Sequence, residues 1–131
     1  MRGRTQVVDR EKLRRRFERQ IERIVARLRR AYDPEKIILF GSCARGDLSE
    51  DSDIDLLIVK DTALRPLDRM REVYKIVYSP RHYLALDPLV FTPEELAQKL
   101  KAQNYLVQEI VREGKVLYEK PDASLQRGLP G

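Results

Sequence analysis

A chain of 131 residues has the length of one domain, enough for a hydrophobic core and too little for two. No run approaches the roughly 20 apolar residues that a membrane helix needs, the opening MRGRTQVVDR lacks the apolar stretch of a signal peptide, and the single cysteine, Cys43, has no internal disulfide partner, so the expected compartment is the cytoplasm. The net charge of +5 is uneven: residues 1–30 hold 12 of the 26 basic and 4 of the 21 acidic side chains, a local +8, which leaves −3 on the rest.

Residues 1–8 are expected to be a flexible N-terminus. Leu13, Phe17, Ile21, Ile24, Val25 and Leu28 then recur at spacings of three and four, predicting a helix over 9–31 whose other positions are filled with arginine. Asp9 is its expected cap, and Asp33-Pro34 ends it, because the residue before proline avoids the helical region. Lys36-Ile37-Ile38-Leu39-Phe40 reads as a strand ending at Gly41, followed by a polar stretch from Ser42 to Ser52 that is a long loop or a short helix. Ile54 to Val59 reads as a second, buried strand.

A helical segment is expected from about Pro66 to Tyr78, with Leu67, Met70, Val73, Tyr74 and Val77 on one face and Ser79-Pro80 as its breaker. A third strand is read from Tyr83 to Phe91, with Pro88 suggesting an edge position or a bulge. Thr92-Pro93-Glu94-Glu95 is a capping box that opens helical pieces over about 93–101 and 104–113, and Gly114 is the stop. Lys115 to Glu119 is a last strand. One domain over residues 9–120 and a disordered tail over 121–131 are expected, with an α/β or α+β fold in which a small mixed sheet is flanked by helices.

The chemistry is concentrated between Phe40 and Leu56. A strand ends in Gly41-Ser42, and the next opens with Asp53 and Asp55, which in an extended chain project from the same face. Two adjacent carboxylates repel, so a divalent cation is the natural neutraliser, and oxygen ligands point to Mg²⁺ or Mn²⁺ rather than zinc. Gly41 lets the backbone approach a phosphate closely, and Ser42 adds a neutral donor. Asp87, the lone acidic group of an apolar strand, is the expected third carboxylate.

Gly-Ser, ten residues, Asp, one residue, Asp resembles the signature of the DNA polymerase β-like nucleotidyltransferase superfamily, and the chain resembles in particular its minimal nucleotidyltransferases, the antitoxins of HEPN toxin–antitoxin pairs. The resemblance covers about residues 36–119. It implies the polymerase β-like fold, two Mg²⁺ ions held by Asp53, Asp55 and Asp87, ATP as substrate with Gly41, Ser42 and Arg45 at its phosphates, and AMP transfer to a hydroxyl, in these antitoxins a tyrosine of a HEPN ribonuclease.

Other residues read more plainly. Glu50 and Asp51 are solvated loop charges, His82 is structural or surface, Cys43 is a small packing residue, and Tyr74, Tyr78, Tyr83 and Tyr105 are expected in the core. The basic helix 9–31 is either a solvated face or a contact for RNA or an acidic protein. Two further functions remain open: transfer to a small molecule such as an aminoglycoside, and a non-catalytic antitoxin that neutralises its partner by contact.

Overall fold

The computed structural model describes residues 9–82 and 85–121. Helix α1 (Arg10–Ala31) is followed by β1 (Lys36–Phe40), the short α2 (Ser42–Arg45), β2 (Ile54–Val59), α3 (Pro66–Val77), β3 (Leu86–Phe91), α4 (Pro93–Lys101), α5 (Tyr105–Glu113) and β4 (Lys115–Glu119). The expected elements are all present. The third strand is shorter than expected, beginning at Leu86, and Tyr83 and Leu84, with residues 1–8 and 122–131, lie outside the described residues.

The four strands form one mixed sheet in the order β3-β2-β1-β4, with β2–β3 parallel and the other pairs antiparallel. Alternation along the strands divides the core in two. On one face Ile37, Leu39, Ile54, Leu56, Ile58, Leu86 and Val90 pack under α1 and α3. On the other, Ile38 and Leu57 meet Ile110 of α5, with Phe40, Leu89, Phe91 and Leu96 around them. The sheet is therefore covered on both faces, and Asp55 and Asp87 have the parity of the α4–α5 face.

The capping chemistry stands as read. Asp9 accepts from the N–H groups of Glu11 and Lys12 at 3.0 and 3.2 Å, and Thr92 and Glu95 exchange hydrogen bonds at 3.1 and 3.0 Å. Gly114 caps α5, but in an extended rather than a left-handed conformation. Its requirement is space, since a Cβ there would stand 2.5 Å from the Ile110 carbonyl and 2.6 Å from Ile38 Cγ2.

Helix α3 departs from the expected face. Val73 and Val77 are buried, but Leu67 and Tyr74 are 58% and 42% exposed, and the buried partner of the valines is Arg69. Its Nε donates to the Leu64 carbonyl at 2.7 Å, Nη1 to the Val90 carbonyl at 3.1 Å, and the guanidinium pairs with both Glu95 oxygens at 2.7 and 3.1 Å. A charge can be buried here because each of its nitrogens has a partner, and the fork ties α3, β3 and α4 together.

Pro88 sits on an edge strand, as its missing donor requires. Ile54 N–H donates to the Ala85 carbonyl and Lys60 N–H to the Phe91 carbonyl, so odd-numbered β3 residues bond β2 and even-numbered peptide groups face outward. The absent N–H of Pro88 falls on the outward side and costs the ladder nothing. The outward carbonyls of Leu86 and Val90 are taken by the Tyr74 hydroxyl, at 2.9 Å, and by Arg69. This edge is closed to another strand.

Candidate active site

Register brings the carboxylates together. Asp55 pairs with Asp87 across the parallel β2–β3 ladder and with Phe40, the last residue of β1, on its other side. Asp53 lies just ahead of β2 and is exposed, and Asp55 is half-buried. Burial, the charges of Asp87 and Asp53, and a hydrogen bond to Asp87 together push the Asp55 carboxyl up to about 6, against a smaller opposing effect of Arg45. Two carboxylates facing each other across the ladder in this way repel when both are ionised, which is the condition a divalent cation relieves.

Gly41 makes this approach possible. Its φ of +74° and ψ of −155° are glycine's territory, and a Cβ would stand 2.2 Å from Asp55 Oδ2. The glycine thus clears room for the carboxylate as well as leading into α2. Ser42 begins that helix, where the first N–H groups lack intrahelical partners. Arg45, in its last turn, is exposed and pairs with Asp47 at 3.0 Å. Its charge reaches Asp55, and it lines, with Gly41, Glu109 and Glu113, a cavity of about 190 Å³.

Cys43 is a packing residue, as read. Its Sγ donates to the Asp53 carbonyl at 3.4 Å, and burial together with the charges of Asp55 and Asp53 pushes the thiol up to about 11. It braces the turn against the start of β2. Glu50, Asp51 and His82 are exposed. The tyrosines correct the reading made of them: Tyr78 and Tyr105 are 67% and 74% exposed, because they sit off the buried arcs of α3 and α5, and Tyr83 is not among the described residues.

Tyr74 is the residue that sequence reasoning misplaced to most effect. From α3 its hydroxyl anchors the Leu86 carbonyl, one residue before Asp87, and burial with the charges of Asp87 and Asp53 raises its phenol. It therefore stands at the edge of the acidic cluster and steadies the strand end that carries Asp87. No local signal marks it, because Leu86 is 12 residues away.

The donor chemistry fits a hard divalent cation, since all three groups are carboxylates and Asp55 carries charge that burial makes costly. Among the described residues, however, no group of three or more His, Cys, Asp and Glu side chains closes into a metal-holding set. Asp55 and Asp87 are the paired carboxylates, and the charge of Asp53 adds to what raises Asp55. One or two carboxylates completed by phosphate and water oxygens is an ordinary Mg²⁺ environment, so the residues present fit such an ion arriving with a nucleotide.

Residues 22–123 match the family described as Polymerase beta, Nucleotidyltransferase. A Methanocaldococcus jannaschii protein named "Putative protein adenylyltransferase" is 37% identical over 87 residues, covering 64% of this chain and 58% of that protein, so the chain spans less than two thirds of that relative's length. A solved structure from Sulfolobus solfataricus, described as a "putative nucleotidyltransferase", has a TM-score of 0.60 at 19% identity over 88% of this chain and 91% of that one, a likeness of fold. A toxin–antitoxin structure solved with AMP-PNP has a TM-score of 0.55 at 26% identity over 76% of this chain and 73% of that one. Among the described residues no helix is long and apolar enough to cross a membrane.

Proposed function

The chain belongs to the polymerase beta nucleotidyltransferase family, and from that premise we propose that it moves AMP from ATP to a hydroxyl of an acceptor protein, a tyrosine of a HEPN ribonuclease toxin, and so acts as the antitoxin of a pair. The observation that carries the reading is the in-register pairing of Asp55 with Asp87 against a glycine whose missing Cβ leaves room for the Asp55 carboxylate. Support for the acceptor class comes from the relative named for protein adenylyl transfer and from the toxin–antitoxin neighbour, and support for the nucleotide from the AMP-PNP in that neighbour's description.

In this reading each residue has a role. Asp55 and Asp87 would hold Mg²⁺, with Mn²⁺ as the substitute, and Asp53 would join them once the ion arrives with the phosphate oxygens of the nucleotide. When bound, the metal neutralises charge on the transferring phosphate and its leaving pyrophosphate. Gly41 leaves the backbone open to the triphosphate, Ser42 donates a hydroxyl hydrogen bond to it, and Arg45 exchanges Asp47 for a phosphate oxygen. Asp87, next to the raised carboxyl of Asp55, takes the acceptor proton. The bond from oxygen to the α-phosphorus forms as the bond to pyrophosphate breaks.

The test is incubation of the chain with ATP labelled at its α-phosphate, Mg²⁺ and the HEPN partner. Label on a partner tyrosine that disappears in Asp53→Asn and Asp55→Asn is the expected result. Equal silencing of the ribonuclease by wild type and both variants, without label, would leave a contact antitoxin and sink the catalytic reading.

A further inference from the structure

The cations of α1 are segregated, and the segregation is not required by packing. At 100° per residue, Lys12, Arg16, Arg19, Arg23, Arg27 and Arg30 fall within an arc of about 80° and run about 27 Å along the helix. Glu11, Glu18 and Glu22 lie together on the opposite flank of the buried face, where Arg14 bonds both Glu11 and Glu18 and Arg15 stands 3.9 Å from Glu11. A helix kept soluble by mixed charge would spread its acids over both flanks. Here one flank is neutralised, and on the other, among the described residues, Lys12, Arg16, Arg19 and Arg30 have no carboxylate in salt-bridge range.

Two of the stripe's arginines are fixed rather than free-swinging. Arg23 donates to the Val77 carbonyl at 3.1 Å and Arg27 to the Ile76 carbonyl at 2.9 Å, capping the end of α3. Each keeps further N–H groups for another acceptor, and their proximity is costly, since Arg27 adds to the burial that lowers the Arg23 guanidinium. Tyr78, the next residue after that capped end, is 67% exposed. An exposed aromatic residue thus follows directly on the carbonyl that Arg23, in the middle of the row, holds.

We infer that this stripe, with Tyr78 beside it, is a docking surface for single-stranded RNA. A regular row of cations, with Asp9 and Glu50 beside its N-terminal end but in no ion pair with it, suits a polymer with a charge on every unit, and an exposed ring suits unstacked bases. Arginine, five of the six, binds phosphate oxygens in fork geometry. An acidic protein fits less well. Protein interfaces are anchored by a central apolar cluster, and none of the exposed large hydrophobic residues lies on α1. The surface stands independently of the transfer reaction, since none of its residues belongs to the acidic cluster.

The measurement is fluorescence anisotropy of a labelled single-stranded 20-nucleotide RNA against the full chain over a range of salt. With about four phosphates neutralised by the unpaired cations, the slope of log K on log salt is expected near −3. Arg16→Ala with Arg19→Ala should weaken binding about tenfold and roughly halve the slope. Tyr78→Ala should weaken it about fivefold and leave the slope in place. Arg14→Ala with Glu18→Ala, on the neutralised flank, should change neither. If the first pair melts early, Lys12→Ala with Arg30→Ala repeats the test. No binding at 50 mM salt, a slope untouched by either stripe pair, or tighter binding of polyglutamate or of the DNA of the same sequence would overturn the inference.

Discussion

Asp55→Asn separates what the Asp55 charge does for chemistry from what it costs the fold. Asparagine has nearly the same shape, fits the space Gly41 leaves, and carries no charge to repel Asp87. The carboxyl rises from 3.8 to about 6 in the folded chain. Its contribution to stability is therefore fully present below the unfolded value and lost as pH rises through about 6. A shift of about two units has an upper bound of about 3 kcal/mol, and solvent screening of a half-exposed group reduces this to about 1 kcal/mol. At pH 7 the variant should melt about 3 °C above wild type. The difference should shrink to about a fifth near pH 4, where the folded wild type is protonated and the unfolded chain is partly so. AMP transfer should fall at least a hundredfold, as the loss of several kcal/mol of charge stabilisation implies. Calorimetry at pH 4, 5, 6 and 7 decides the matter. A variant that melts below wild type at pH 7, or whose gain is the same at pH 4, would refute the account of Asp55 as a charge held against its burial.

Three other changes test the surroundings. Gly41→Ala combines a backbone conformation reserved for glycine with a Cβ 2.2 Å from Asp55 Oδ2, so urea denaturation should show a loss of about 2 kcal/mol, with transfer abolished. Arg69→Met should cost about 3 kcal/mol by the same measurement, because it strips the Leu64 and Val90 carbonyls of their donor and leaves Glu95 without its partner. The Cys43 thiol, raised to about 11, should react with a maleimide far more slowly at pH 7.5 than a free thiol does, and an equal rate would contradict its protonated, packed state.

Much of the fold was legible because its signals are local. The spacing of Leu13, Phe17, Ile24, Val25 and Leu28, the caps at Asp9 and Thr92, and the apolar runs at Ile37 and Ile54 each act over a few residues, and each element stands where they put it. Helix α3 was misread on one face because periodicity counts apolar side chains. Arg69 occupies the buried stripe four residues before Val73, and only its distant partners, Val90 and Glu95, make that tolerable. The exposed Tyr78 and Tyr105 depart from the reading because helical spacing, taken as a sign of burial, does not say which arc of the helix meets the sheet.

The candidate site divides along the same line. Gly41-Ser42 followed by Asp53 and Asp55 was readable as chemistry because residue type and spacing alone carry it, and Asp87 stood out as a charge in an apolar strand. Tertiary structure alone decided that Asp87 is the register partner of Asp55, because strand pairing joins residues 32 positions apart by a ladder no local pattern specifies. It also decided what Pro88 does: the side of β3 on which its missing N–H falls is fixed by which edge of the sheet the strand occupies. Gly41 changed meaning too. Sequence marked it as an approach for phosphate, and the packed chain adds that it makes room for the Asp55 carboxylate.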